Sequence, residues 1–64
     1  MRYRMKARYG DWTLTDTETG EVVLSGQGYE VTSEVEYRLN SGRFGSSECG
    51  EVARNISRRS SLNG

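Results

Sequence analysis

Four cations occupy alternate positions near the start of the chain: Arg2, Arg4, Lys6 and Arg8. Tyr3, Met5, Ala7 and Tyr9 interleave with them. Alternation with period two puts one set on each face of a β-strand. The basic face suits phosphate, because guanidinium and ammonium groups donate charge-assisted hydrogen bonds to phosphate oxygens. Thr13 and Thr15, in the next alternating segment, bring hydroxyls to that same face. Arginine and hydroxyl groups on one sheet face can contact phosphates and base edges.

Other reactive chemistry is sparse. There is no histidine, and general acid–base catalysis ordinarily needs one or a carboxylate tuned by burial. No serine has the G-x-S-x-G spacing of a nucleophile. The chain therefore reads as non-enzymatic, with no catalytic residue and no cofactor. The run Asp16-Thr17-Glu18-Thr19-Gly20-Glu21 has the residue types of a calcium loop, but Gln27 stands where the bidentate glutamate belongs. A tight hairpin explains every residue of that run, so no metal is expected. Cys49, the single cysteine, excludes an internal disulfide and fits a reducing, cytoplasmic setting. It falls on an apolar stripe and reads as a small buried hydrophobe. Tyr9 and Trp12 could stack on bases. As a cross-strand pair beside Leu14 and Leu24 they read better as core.

The elements that position these groups follow from turns and periodicity. A Gly10-Asp11 turn of the II′ class sets Tyr9 opposite Trp12, Ala7 opposite Leu14, Arg8 opposite Thr13 and Lys6 opposite Thr15. Gly20, in the left-handed position of a second turn, sets Leu14 opposite Leu24 and Asp16 opposite Val22. The shared apolar face then holds Tyr3, Met5, Ala7, Tyr9, Trp12, Leu14, Val22 and Leu24. Ser25-Gly26-Gln27-Gly28 ends the meander as a loop. Residues 29–39 fit either period. Val31, Val35 and Leu39 recur every four residues, Ser33 with Glu36 forms a capping-box pattern, and Gly42 suits the position after a helix. They predict a helix over 33–41, because an apolar sheet face needs a cover. Cys49, Val52, Ala53 and Ile56 form one helical stripe, with Ser47 as N-cap and Arg58 and Arg59 at the end. The fold class is α+β: a three-stranded antiparallel β-meander packed against two short helices. It is one domain, with the meander over 1–25, the helical part over 29–59 and a flexible tail over 60–64.

Two local resemblances accompany this pattern. The sheet-then-helix order and Asp16-Thr17-Glu18-Thr19-Gly20 resemble the three-stranded sheet of arm-type DNA-binding domains in tyrosine recombinases. In a DNA-binding reading the contacts would come from the basic face itself, through Arg2, Arg4, Lys6, Arg8, Thr13 and Thr15. The stretch Ser41-Gly42-Arg43-Phe44-Gly45-Ser46-Ser47-Glu48 is similar to the inter-helix loop of ribbon-helix-helix antitoxins, where one short strand stands in place of two hairpins.

Charge is balanced overall, with nine basic and nine acidic residues, so no net field steers the molecule to DNA or membrane. It is unevenly distributed. Asp11, Asp16, Glu18, Glu21, Glu30, Glu34 and Glu36 fall in a stretch without lysine or arginine. Those acids could neutralise the basic strand internally. A chain of 64 residues buries only about 60% of its unfolded surface, so partner support is expected, either from a second copy in a homodimer or from another protein. The leading expectation is a small protein-binding module, an inhibitor or adaptor of phage or mobile-element type. Arg43, Phe44 and Tyr29 would be its contact residues, since aromatic and arginine side chains are enriched at interfaces. The alternative is a small DNA-binding regulator using the basic sheet face. No apolar run approaches the ~20 residues of a membrane helix.

Overall fold

Tyr9 and Gly10 close the first hairpin, both in the left-handed region at φ 51° and 85°. Two positive φ values give the I′ class of turn, whose twist matches that of the flanking strands. Strand β1 (Tyr3–Arg8) thereby pairs with β2 (Asp11–Asp16) in the register Tyr3↔Asp16, Met5↔Leu14, Ala7↔Trp12. The computed structural model describes residues 1–63, with side chains through Arg59.

The register differs by two residues from the one the sequence predicts. A two-residue slip preserves which face each side chain takes, so the apolar and basic faces survive it. Tyr9 does not stay in the strand. It sits at the hairpin tip, 92% exposed, and is not part of the core.

Strand β3 (Val22–Gln27) completes a sheet of order β1-β2-β3. Leu14 faces Leu24 as predicted, and Gly20 has the left-handed φ of 77°. Asp16 does not face Val22. Two irregularities intervene, because β3 takes an extra residue between Gln27 and Leu24 and another between Leu24 and Val22. Such bulges switch the facing of the residues beyond them. Val22 pairs with Thr15 and is exposed, while Val23 packs toward the core. Ser25, Gly26 and Gln27 belong to β3 rather than to a loop, with Gly26 at φ 73° inside the first bulge.

Helix α1 (Tyr29–Asn40) begins four residues earlier than the capping-box pattern predicts. Gly28 takes the N-cap position, and its carbonyl accepts from both the Thr32 amide (3.1 Å) and the Thr32 hydroxyl (2.8 Å). This satisfies a hydroxyl that is fully buried. The helix closes in a Schellman motif. Gly42, at φ 74°, donates to the Leu39 carbonyl and Arg43 donates to that of Arg38. A 3-10 turn over Ser46–Glu48 then leads into helix α2 (Cys49–Asn63). Glu48 caps that turn by accepting the Gly45 amide at 3.0 Å, so the start lies before Ser47. Backbone over 60–63 continues the helix where a flexible tail is predicted, and residue 64 lies outside the described residues.

Both helices lie on one face of the sheet, α1 against β1 and β2 and α2 against β3. Tyr3, Leu14, Leu24, Val35, Leu39, Cys49 and Ala53 form the buried core, flanked by half-buried Met5, Val23, Val31, Phe44, Val52 and Ile56. Ala7 shares the covered face by register but is exposed. Burial pushes the Cys49 thiol pKa up, as suits an inert core cysteine. Among the described residues no helix is long and apolar enough to cross a membrane.

Candidate nucleic-acid interface

The sheet has a second face, on which no helix packs among the described residues. Cross-strand partners share a face, so the register Arg4↔Thr15, Lys6↔Thr13 and Arg8↔Asp11 gathers these six side chains there. Val22, opposite Thr15, extends the row at Arg4 onto β3. Arg4, Lys6 and Arg8 are exposed, and Thr13 and Thr15 half-exposed. The Thr13 hydroxyl donates to the Lys6 carbonyl at 3.3 Å, which leaves its oxygen free to accept. Outer strands of a three-stranded sheet lie about 9.6 Å apart, and a DNA major groove is about 12 Å wide.

Arg2 belongs elsewhere. Its guanidinium meets Asp16 in a two-pronged contact, Nε to Oδ1 at 3.1 Å and an Nη to Oδ2 at 3.0 Å, and also lies 2.8 Å from Glu18. Asp16 is on the covered face and only 4% exposed. The hydrogen bond from Arg2 holds its carboxyl below the usual carboxylate range, against the opposing effect of burial and with help from the Glu18 amide. The same hydrogen bond raises the Arg2 pKa. Arg2 is thus a structural clamp joining the start of β1 to the second turn.

Among the described residues the acids between Asp11 and Glu36 form no close ion pair with the rest of the basic strand. Asp16 and Glu18 engage Arg2, Glu34 pairs with Arg38 at 3.0 Å, and Glu36 accepts the Met5 amide at 3.0 Å. Among the described residues Arg4, Lys6 and Arg8 have no ion-pair partner. Asp11 stands opposite Arg8 as the single carboxylate in these cross-strand rows.

The residues proposed for protein contact do not form one patch. Tyr29 opens α1 and meets Trp12 edge-to-face, with centroids 5.2 Å apart. Arg43 and Phe44 follow the far end of that helix, about 18 Å away at 1.5 Å per residue. Phe44 is half-buried against the core, and the Arg43 guanidinium lies 5.7 Å from the Tyr37 ring.

One further arrangement has no local signal in the sequence. Asn40 accepts the Tyr3 amide (3.0 Å) and donates to the Tyr3 carbonyl (3.1 Å), while Glu36 takes the Met5 amide. Side chains one helical turn apart thus cover the outer edge of β1. No protein-family model, curated protein or solved structure matches the chain.

Proposed function

We propose that this protein binds duplex DNA through the uncovered face of its sheet. Arg4, Lys6 and Arg8 contact phosphates, and Thr13 and Thr15 reach phosphate oxygens or base edges between them. A single observation carries this reading: three cations on one open sheet face without ion-pair partners, while most acids of the neighbouring stretch are engaged elsewhere. Net charge near zero does not oppose it, since the local field at a surface decides phosphate contact.

The deciding experiment compares Arg4→Gln/Lys6→Gln/Arg8→Gln with wild type in binding to a short duplex across a salt series. Wild-type affinity should fall with salt at a log–log slope of about −2.7, from about −0.9 for each of the phosphates contacted. The triple variant should fold normally and lose binding. A salt-insensitive affinity, or full binding by the variant, would reject the reading.

A second reading, a protein-binding inhibitor or adaptor, draws on the outer edge of β3. Among the described residues no side chain caps that edge as Asn40 and Glu36 cap β1, and an open edge can accept an extended peptide as an added strand. A pull-down from lysate with and without nuclease separates the two readings. A partner that survives nuclease favours the second.

A further inference from the structure

A second group of cations lies in the helical layer, on the side of the sheet away from Arg4, Lys6 and Arg8. Arg38 of α1 and Asn55, Ile56, Arg58 and Arg59 of α2 line a cleft of about 400 Å³. Asn55, Arg58 and Arg59 stand at i, i+3 and i+4, so one helix face carries all three toward it. Ile56 is half-buried and contributes an apolar patch of wall.

Arg38 is held in place by Glu34, whose Oε1 accepts from an Nη at 3.0 Å. Among the described residues its Nε, shielded from solvent, has no hydrogen-bond partner. Buried polar groups are nearly always satisfied, and a charged donor left unmet is especially unfavourable. Among the described residues neither Arg58 nor Arg59 has a carboxylate within ion-pair distance. Glu34 offsets one of three guanidinium charges, which leaves the described residues of the cleft with an excess of two. A carboxylate offers two oxygens and one charge. A phosphate monoester offers three terminal oxygens and up to two charges, two neighbouring backbone phosphates also supply two charges, and arginine forks match phosphate oxygens in a bidentate manner. The volume lies within the ~300–1,000 Å³ range of small-molecule sites.

We infer that this cleft binds a phosphate group, with Arg38, Arg58, Arg59 and Asn55 as its donors. The inference does not depend on DNA binding by the sheet. The phosphate can come from a free phosphorylated molecule or from a nucleic-acid backbone, and the two sources are separable. The Arg38 Nε–H resonance is followed by NMR at constant ionic strength while inorganic pyrophosphate, or separately a short duplex, is added. Saturable movement with pyrophosphate assigns a free ligand, and movement with the duplex alone assigns backbone phosphate. Either supports the site. Arg58→Gln/Arg59→Gln, at exposed positions, should weaken that response about tenfold or more, from the loss of charge-assisted bonds. Arg4→Gln/Lys6→Gln/Arg8→Gln should leave the pyrophosphate response unchanged. No saturable movement with either probe, or an undiminished response in Arg58→Gln/Arg59→Gln, would overturn the inference.

Discussion

Asp16 shows how much one residue can depend on a partner 14 positions away. It occupies an apolar-face position that alternation reserves for a hydrophobe, and Arg2 makes this tolerable. Because its pKa is lowered on folding, its contribution is complete above the unfolded carboxylate value of about 3.9 and is lost as pH falls through the lower folded value. Melting temperature should therefore drop in acid, from about pH 4 downward. Asp16→Asn should melt lower at neutral pH yet lose less over the same acid range. A parallel acid loss in both would detach the clamp from stability. Tyr9 presents the opposite case. A non-glycine residue at φ 51° is strained, and at the exposed tip its ring has the Arg8 guanidinium 5.4 Å from its centroid, a contact worth less than that strain. Tyr9→Asn keeps the I′ turn with a residue suited to it and should raise stability by about 1 kcal/mol in urea unfolding. Trp12, read from the sequence as core, lies outside the buried cluster because the observed register sets it beside the hairpin tip, so substitutions on the covered face should rank by burial. Leu14→Ala, at a fully buried position, should cost about 2–5 kcal/mol. Trp12→Ala, half-buried with one edge-to-face partner, should cost less, about 2 kcal/mol.

At the scale of elements, period and position separate. Alternation assigns faces correctly for Tyr3, Met5, Leu14 and Leu24, because face depends only on parity. It cannot choose between a Tyr9-Gly10 and a Gly10-Asp11 turn, since both keep parity. The bulges in β3 are hidden because the extra residues change facing without changing the local composition of a strand, so Val22 and Val23 exchange roles. The four-residue spacing of Val31, Val35 and Leu39 identifies α1, and Gly42 its end. Its start escapes because a glycine N-cap leaves no side-chain signature, whereas Ser33 and Glu36 imitate one. The cover over β1 is illegible for a stronger reason: Asn40 and Tyr3 are brought together only by the fold. That cover is testable. Asn40 both accepts from and donates to Tyr3, whereas an aspartate can only accept. Tyr3 amide exchange should thus be slowest in wild type, intermediate in Asn40→Asp and fastest in Asn40→Ala. Equal rates in all three would mean that the edge is protected by packing alone.

For the whole molecule, electrostatics serves the fold and the proposed function through different residues. The ion pairs of the fold gather at Arg2 and Arg38, and the cations of the open sheet face take no part in them. Salt should therefore act on the two properties unequally. Exposed pairs such as Arg2–Glu18 contribute little, so stability should change only slightly with added salt. Duplex binding should weaken steeply. The large exposed apolar residues give a related argument about assembly. Met1 begins the chain ahead of β1, Tyr9 is at the hairpin tip, Val22 on the open sheet face, and Tyr29 and Tyr37 on α1, so among the described residues they do not build the continuous apolar patch of an obligate dimer. Support for a core this small is then expected from the ligand rather than from a second copy. Melting of the free protein should be independent of its concentration. At low salt, duplex at 100 times its dissociation constant should add about 2.7 kcal/mol of stability by mass action. That gain should vanish at high salt and in Arg4→Gln/Lys6→Gln/Arg8→Gln. Melting that rises with protein concentration alone would instead identify a self-associating chain, supported by a second copy rather than by the ligand.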